Sequence, residues 1–101
     1  MFTPPTARYL ADGDLDITFP SGIHGDPTFP LVRLALLGDT DPLAFAWYPG
    51  GERLLVGWHV ARAIELRLKN MWPNVAIINP LHEAAGVGPR RVAELAGPVA
   101  R

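Results

Sequence analysis

The chain has 101 residues, 49% of them hydrophobic, with nine Lys plus Arg against ten Asp plus Glu and no cysteine. That length corresponds to one domain with enough apolar residues to bury a core unaided, and the missing cysteines exclude disulfides, zinc–thiolate sites and thiol nucleophiles. The near-balanced charge argues against a protein that holds nucleic acid through its overall charge, so such binding would need a local basic patch.

No apolar run reaches the roughly 18–20 residues that span a bilayer, and Met1 to Tyr9 lacks the basic start and long apolar stretch of a secretory signal. The expectation is a cytoplasmic protein with no membrane partner, which the absence of cysteine fits. Eleven prolines and ten glycines fall mostly between apolar segments, as turn markers do.

Residues 1–9 contain Pro4-Pro5 and read as loosely ordered. Ala11-Asp-Gly-Asp14 is a turn signal. Leu15-Asp-Ile-Thr-Phe19 alternates strictly, which predicts a strand with Leu15, Ile17 and Phe19 inward and a wet opposite face. Residues 20–30 read as an irregular loop. Leu31 to Leu37 has a length that suits a strand or a short helix; Pro30 before it and Gly38 after it favour the helix. Leu43 to Tyr48 and Glu52 to Val56 form a hairpin about Pro49-Gly50-Gly51, whose glycines permit the positive φ of short hairpin loops. Leu43, Phe45 and Trp47 share one face; Ala44, Ala46 and Tyr48 share the other, where small side chains leave room for a covering helix.

From Val60 to Trp72 the spacing is helical. Val60, Ala61, Ile64, Leu68, Met71 and Trp72 fall on one flank, with Arg62, Glu65 and Lys69 opposite. Glu65 and Lys69 make an i,i+4 pair, Arg67 lies at the stripe's edge and reaches to water, and Pro73 stops the helix. Val75 to Ile78 is apolar on both faces, as a central strand is. Arg90 to Ala96 forms about two further helical turns. The reading is a single α+β domain over residues 1–101: a small mixed sheet with a central β-hairpin packed on one main helix, and a short C-terminal helix.

The histidines, His24, His59 and His82, lack the i,i+4 spacing of a helical metal pair, so no metal and no cofactor is expected. His59 sits where a strand passes into a helix. It is either a phosphate-binding or general-base residue at the helix N-terminus or a junction residue packed against Trp58. Asp12, Asp14 and Asp16 alternate along the first strand and its approach, the pattern of a solvated face more than of a magnesium site. Tyr48 and Trp58 flank glycine turns; exposed together, they would suit a protein partner or base stacking.

Two stretches carry resemblances. Gly51 to Ala63, ending in Asn74-Val-Ala-Ile-Ile78, resembles the ParB/sulfiredoxin-like fold, with its hairpin, glycine-containing turn, helix and strand. That resemblance implies phosphate handling near Gly57, His59 and Arg62; Val60 stands where the family places an arginine. Ala85 to Leu95 resembles the turn of helix-hairpin-helix modules, which implies a phosphate held by the backbone around Gly86 and Gly88 with Arg90 and Arg91 beside it.

No nucleophile motif, nucleotide loop or metal-ligand pattern supports an enzyme. The expected function is a small non-enzymatic binding module that contacts nucleic acid or another phosphate-bearing ligand through His59, Arg62, Gly86, Gly88, Arg90 and Arg91. The alternative is a protein-interaction or inhibitor protein that uses Tyr48 and Trp58, a homodimer among its forms; a small enzyme with a His/carboxylate pocket is the third reading.

Overall fold

The computed structural model describes residues 3–80. His82, Gly86, Gly88, Arg90, Arg91 and the expected C-terminal helix lie outside the described residues. Five strands form one mixed sheet: β1 (Thr6–Tyr9), β2 (Leu15–Thr18), β3 (Phe45–Trp47), β4 (Arg53–Val56) and β5 (Ala76–Ile78). Two helices, α1 (Phe29–Leu37) and α2 (Trp58–Met71), complete the fold. The strand order is β3-β4-β2-β1-β5, with β5 parallel to β1 and the other neighbours antiparallel. No helix among the described residues is long and apolar enough to cross a membrane.

The sheet has one dry face. Register aligns Phe45 and Leu15 with Val56, Trp47 and Ile17 with Leu54, and Ala7 with both Ile17 and Ile77. These residues join Phe29, Val32 and Leu36 of α1 and Ala61, Ile64 and Leu68 of α2 in a single core. Both helices therefore cover the face with the large side chains, not the Ala46 and Tyr48 face. The strict alternation in β2 places Leu15, Ile17 and Phe19 at no more than 2% exposure.

Three expectations about the sheet change. The hairpin β3–β4 forms, with Gly50 and Gly51 at φ 99° and 74°, but it lies to one side; β2 occupies the centre. β5 is an edge strand, and its outward Ile78 is 44% exposed. The segment read as loose contains β1, because Pro4 and Pro5 precede the strand without interrupting it and Ala7 and Tyr9 alternate inward. The loop 20–30 is also anchored: Ile23 is buried within a short 3-10 turn, and Gly22 donates its N–H to the Glu52 carboxylate.

The helix α1 forms as its flanks favour. The Asp26 carboxylate accepts from both the N–H and the hydroxyl of Thr28, just before Phe29; these two bonds hold the Asp26 carboxyl below its usual range. The helix α2 begins two residues earlier than the spacing predicts. Gly57 has no side chain with which to cap it, and the Asp14 carboxylate, from the turn between β1 and β2, accepts the N–H of Trp58 at 2.8 Å. A carboxylate at this end also meets the positive pole of the helix. Asp14→Ala is expected to lower the unfolding free energy by about 1 kcal/mol, measured by urea denaturation, with Asp14→Asn close to wild type.

Candidate functional site

Of the residues that sequence reasoning assigned to partner binding, Tyr48 and Trp58 are placed apart. Tyr48 follows β3 beside the Gly50-Gly51 turn, where its N–H pairs with the carbonyl of Arg53 at the start of β4. Trp58 follows the other end of β4. Tyr48 is half-buried, and the Arg53 guanidinium lies 4.4 Å from its ring. Arg53 is in turn held by Asp16, which accepts from Nε and Nη2. Asp16 is 7% exposed, so the face of β2 expected to be wet carries a buried carboxylate paired with a half-exposed guanidinium. Trp58 is 69% exposed and meets His59 edge-on, ring centres 5.7 Å apart. Its N–H is already occupied by Asp14, so the start of α2 holds a carboxylate of the chain itself.

Helical spacing puts His59, Ala63, Leu66 and Asn70 on the outer side of α2, and Leu66 is 54% exposed. Arg62 and Lys69 line the flank toward β5, on either side of Glu65. The helical wheel placed Glu65 among solvated residues, yet it is 6% exposed. Tyr9 donates its hydroxyl to Oε1 at 2.5 Å, and the Lys69 ammonium lies 2.8 Å from Oε2. Arg62 approaches Oε1 only to 3.8 Å. Burial pushes the Glu65 carboxyl up, but the bonds from Lys69 and Tyr9 and the charges of Lys69 and Arg62 outweigh it and hold the group below its usual value. Burial, then the bond to Glu65 and its charge, push the Tyr9 hydroxyl up. At neutral pH one partner stays ionised and the other protonated, so the pair is not poised to transfer a proton.

The outer side of α1 was not singled out by sequence reasoning. Eight of its nine residues are apolar. Phe29, Val32, Leu36 and Leu37 are buried, while Leu31 and Leu34 remain 67% and 66% exposed. Leu31, Leu34, Ala35 and Gly38 follow at i, i+3, i+4 and i+7 and form one exposed stripe. Arg33, the single charge of α1, lies on the side of the helix turned away from that stripe, 4.8 Å from the Trp47 ring and 5.8 Å from the Phe29 ring. The available signal was the absence of a polar face: a helix apolar all round is ordinarily buried all round, and a two-layer fold leaves one side of each helix outside.

No protein-family model, curated protein or solved structure matches this chain.

Arg67 fixes α1 against α2. It was expected to reach into water; instead its Nη1 donates to the Leu36 carbonyl at 2.9 Å and to the Thr40 hydroxyl at 3.2 Å, and its Nη2 pairs with Asp39. The two helices together hold Arg33, Arg62, Arg67 and Lys69 against Glu65, a net charge of +3, on a chain whose total is −1. Asp39 offsets Arg67 in that layer, where Leu31, Leu34 and Leu66 are exposed.

Proposed function

We propose that this chain is a non-enzymatic binding module that docks an amphipathic, acid-rimmed segment of a partner protein on the outer side of α1 and α2. The observation that carries it is the exposure of Leu31 and Leu34 on a helix with one charge in nine residues. Completing the burial of each leucine is worth roughly 1–2 kcal/mol. Arg62 and Lys69 edge that surface on its α2 side and favour acidic groups there, which sets encounter rate and orientation more than affinity. A stable interface needs roughly 800 Å² from each side, so contact extends from the stripe on α1 across to Ala63 and Leu66 of α2.

The test uses synthetic helical peptides with the same leucine stripe and either an acidic or a basic rim, titrated by calorimetry. The acidic-rim peptide is expected to bind, more weakly as salt is raised, and the basic-rim peptide not to bind. The double substitution Leu31→Glu with Leu34→Glu should abolish binding and leave the thermal melt within a few degrees of wild type, since both side chains are largely in water. Equal binding by the substituted chain overturns the reading. So does a wild-type dimer in sedimentation that the substitution splits, because the occupant is then a second copy. A single-stranded oligonucleotide that binds with a steep salt dependence and ignores the substitution returns the assignment to a phosphate-bearing partner at His59 and Arg62.

A further inference from the structure

A cleft of about 350 Å³ opens between α2 and the β1–β5 side of the sheet, within the roughly 300–1,000 Å³ of small-molecule sites. Its wall on the sheet side is Val75 and Ile77, both half-buried, with Tyr9 and Asn79 beside them; its wall on the helix side is Arg62, Glu65 and Lys69. Glu65 has a donor on each oxygen, Tyr9 on one and Lys69 on the other. The Arg62 guanidinium, 3.8 Å from Oε1, is beyond hydrogen-bond reach of that carboxylate, and its side chain is 79% exposed at the mouth. Two cations thus face one carboxylate, each of whose oxygens already has a direct donor.

We infer that this cleft binds a small organic oxyanion, a carboxylate or phosphate monoester with an apolar body. Val75 and Ile77 take the apolar body, and the anionic group bridges Arg62 and the remaining donors of Lys69. A cation of the same size is repelled by Arg62 and Lys69, whose two charges exceed the one of Glu65. Glu65 orients Lys69 through a direct 2.8 Å contact but holds Arg62 only through the longer 3.8 Å approach, which an incoming anion can replace. The site does not include Leu31 or Leu34, but it shares Arg62 and Lys69 with the rim of the proposed docking surface.

The probes are benzoate, phenyl phosphate and, as the cationic counterpart of similar shape, benzylammonium, titrated into the full chain and followed by amide NMR shifts. Saturable shifts at Arg62, Lys69 and Ile77 are expected with one or both anions and none with benzylammonium. Tighter binding of phenyl phosphate assigns a phosphate ester, and parity or the reverse assigns a carboxylate. Arg62→Gln, whose thermal melt should match wild type, is expected to weaken anion binding by about tenfold. The Leu31→Glu/Leu34→Glu chain should bind the anions unchanged, which separates this inference from the docking surface. No saturable shift with either anion, equal shifts with benzylammonium, or undiminished affinity in Arg62→Gln overturns it.

Discussion

Leu68→Ala is expected to lower the unfolding free energy by about 2–5 kcal/mol, a large part of the roughly 5–15 kcal/mol that a domain of this class has in total. Leu68 is at 0% exposure, as are Ile64 one turn before it and Ile17 and Leu54 in the same core. Truncation removes buried methyl groups and opens a void that the flanking strands cannot collapse to fill, because Leu54 and Ile17 are fixed by the sheet register. Leu66→Ala, two residues away on the same helix, is the matched control. Leu66 is 54% exposed, so its loss should stay within about 0.5 kcal/mol. Urea denaturation of the pair decides the matter: equal midpoints would mean that α2 does not present Leu68 to the sheet.

That pair also marks what the sequence made legible. The phase of α2 followed from its own spacing, because burial of Ala61, Ile64, Leu68 and Trp72 depends on a period contained within the segment. The same holds for Leu15, Ile17 and Phe19 in β2 and for the glycine turn between β3 and β4. Each is a local signal and needs no knowledge of the partner. The features that escaped depend on residues far apart. β1 looked loose because its stabilisation comes from Leu15–Thr18 on one side and Ala76–Ile78 on the other, and four residues behind two prolines carry no period of their own. Asp14 resembled part of a solvated run, and only the fold brings it to the N–H of Trp58.

Leu43 is instructive in the other direction. Alternation grouped it with Phe45 and Trp47, yet it is 93% exposed. Asp41 accepts the N–H of Leu43 and turns Pro42–Ala44 into a short 3-10 segment, so the two-residue period begins only at Phe45. The candidate surface was hidden for a related reason. Leu31 to Leu37 has no polar face from which a phase could be read, and which leucines face water is set by where β3 and α2 lie. Arg62, one of the predicted site residues, combines exposure with a cavity at its side.

Tyr9→Phe should expose the other long-range dependence, the covered polar cluster under α2. The substitution keeps the ring and removes the hydroxyl that Glu65 Oε1 accepts at 2.5 Å. A bond to a charged group in this setting contributes about 1–3 kcal/mol, here toward the lower end because Lys69 is half exposed and water can partly replace the lost donor. The pH profile separates this from a packing effect. Tyr9 has its hydroxyl raised in the fold, so its contribution is complete below about pH 10, its ordinary value, and is lost as the pH rises further. Glu65 is held below its ordinary value, so its contribution is complete above the usual carboxylate range and fades as the pH falls through the folded value. In Tyr9→Phe the alkaline loss should disappear, and the acid limb should move to higher pH, because Glu65 keeps Lys69 but loses one of the two donors that hold its carboxyl down. Equilibrium unfolding from pH 3 to 11 in both chains measures the two limbs together. An alkaline limb that survives in Tyr9→Phe would place its origin elsewhere. An acid limb that stays put would show that Lys69 and Arg62 hold Glu65 without Tyr9, so that the Tyr9 bond contributes nothing to keeping the carboxylate charged.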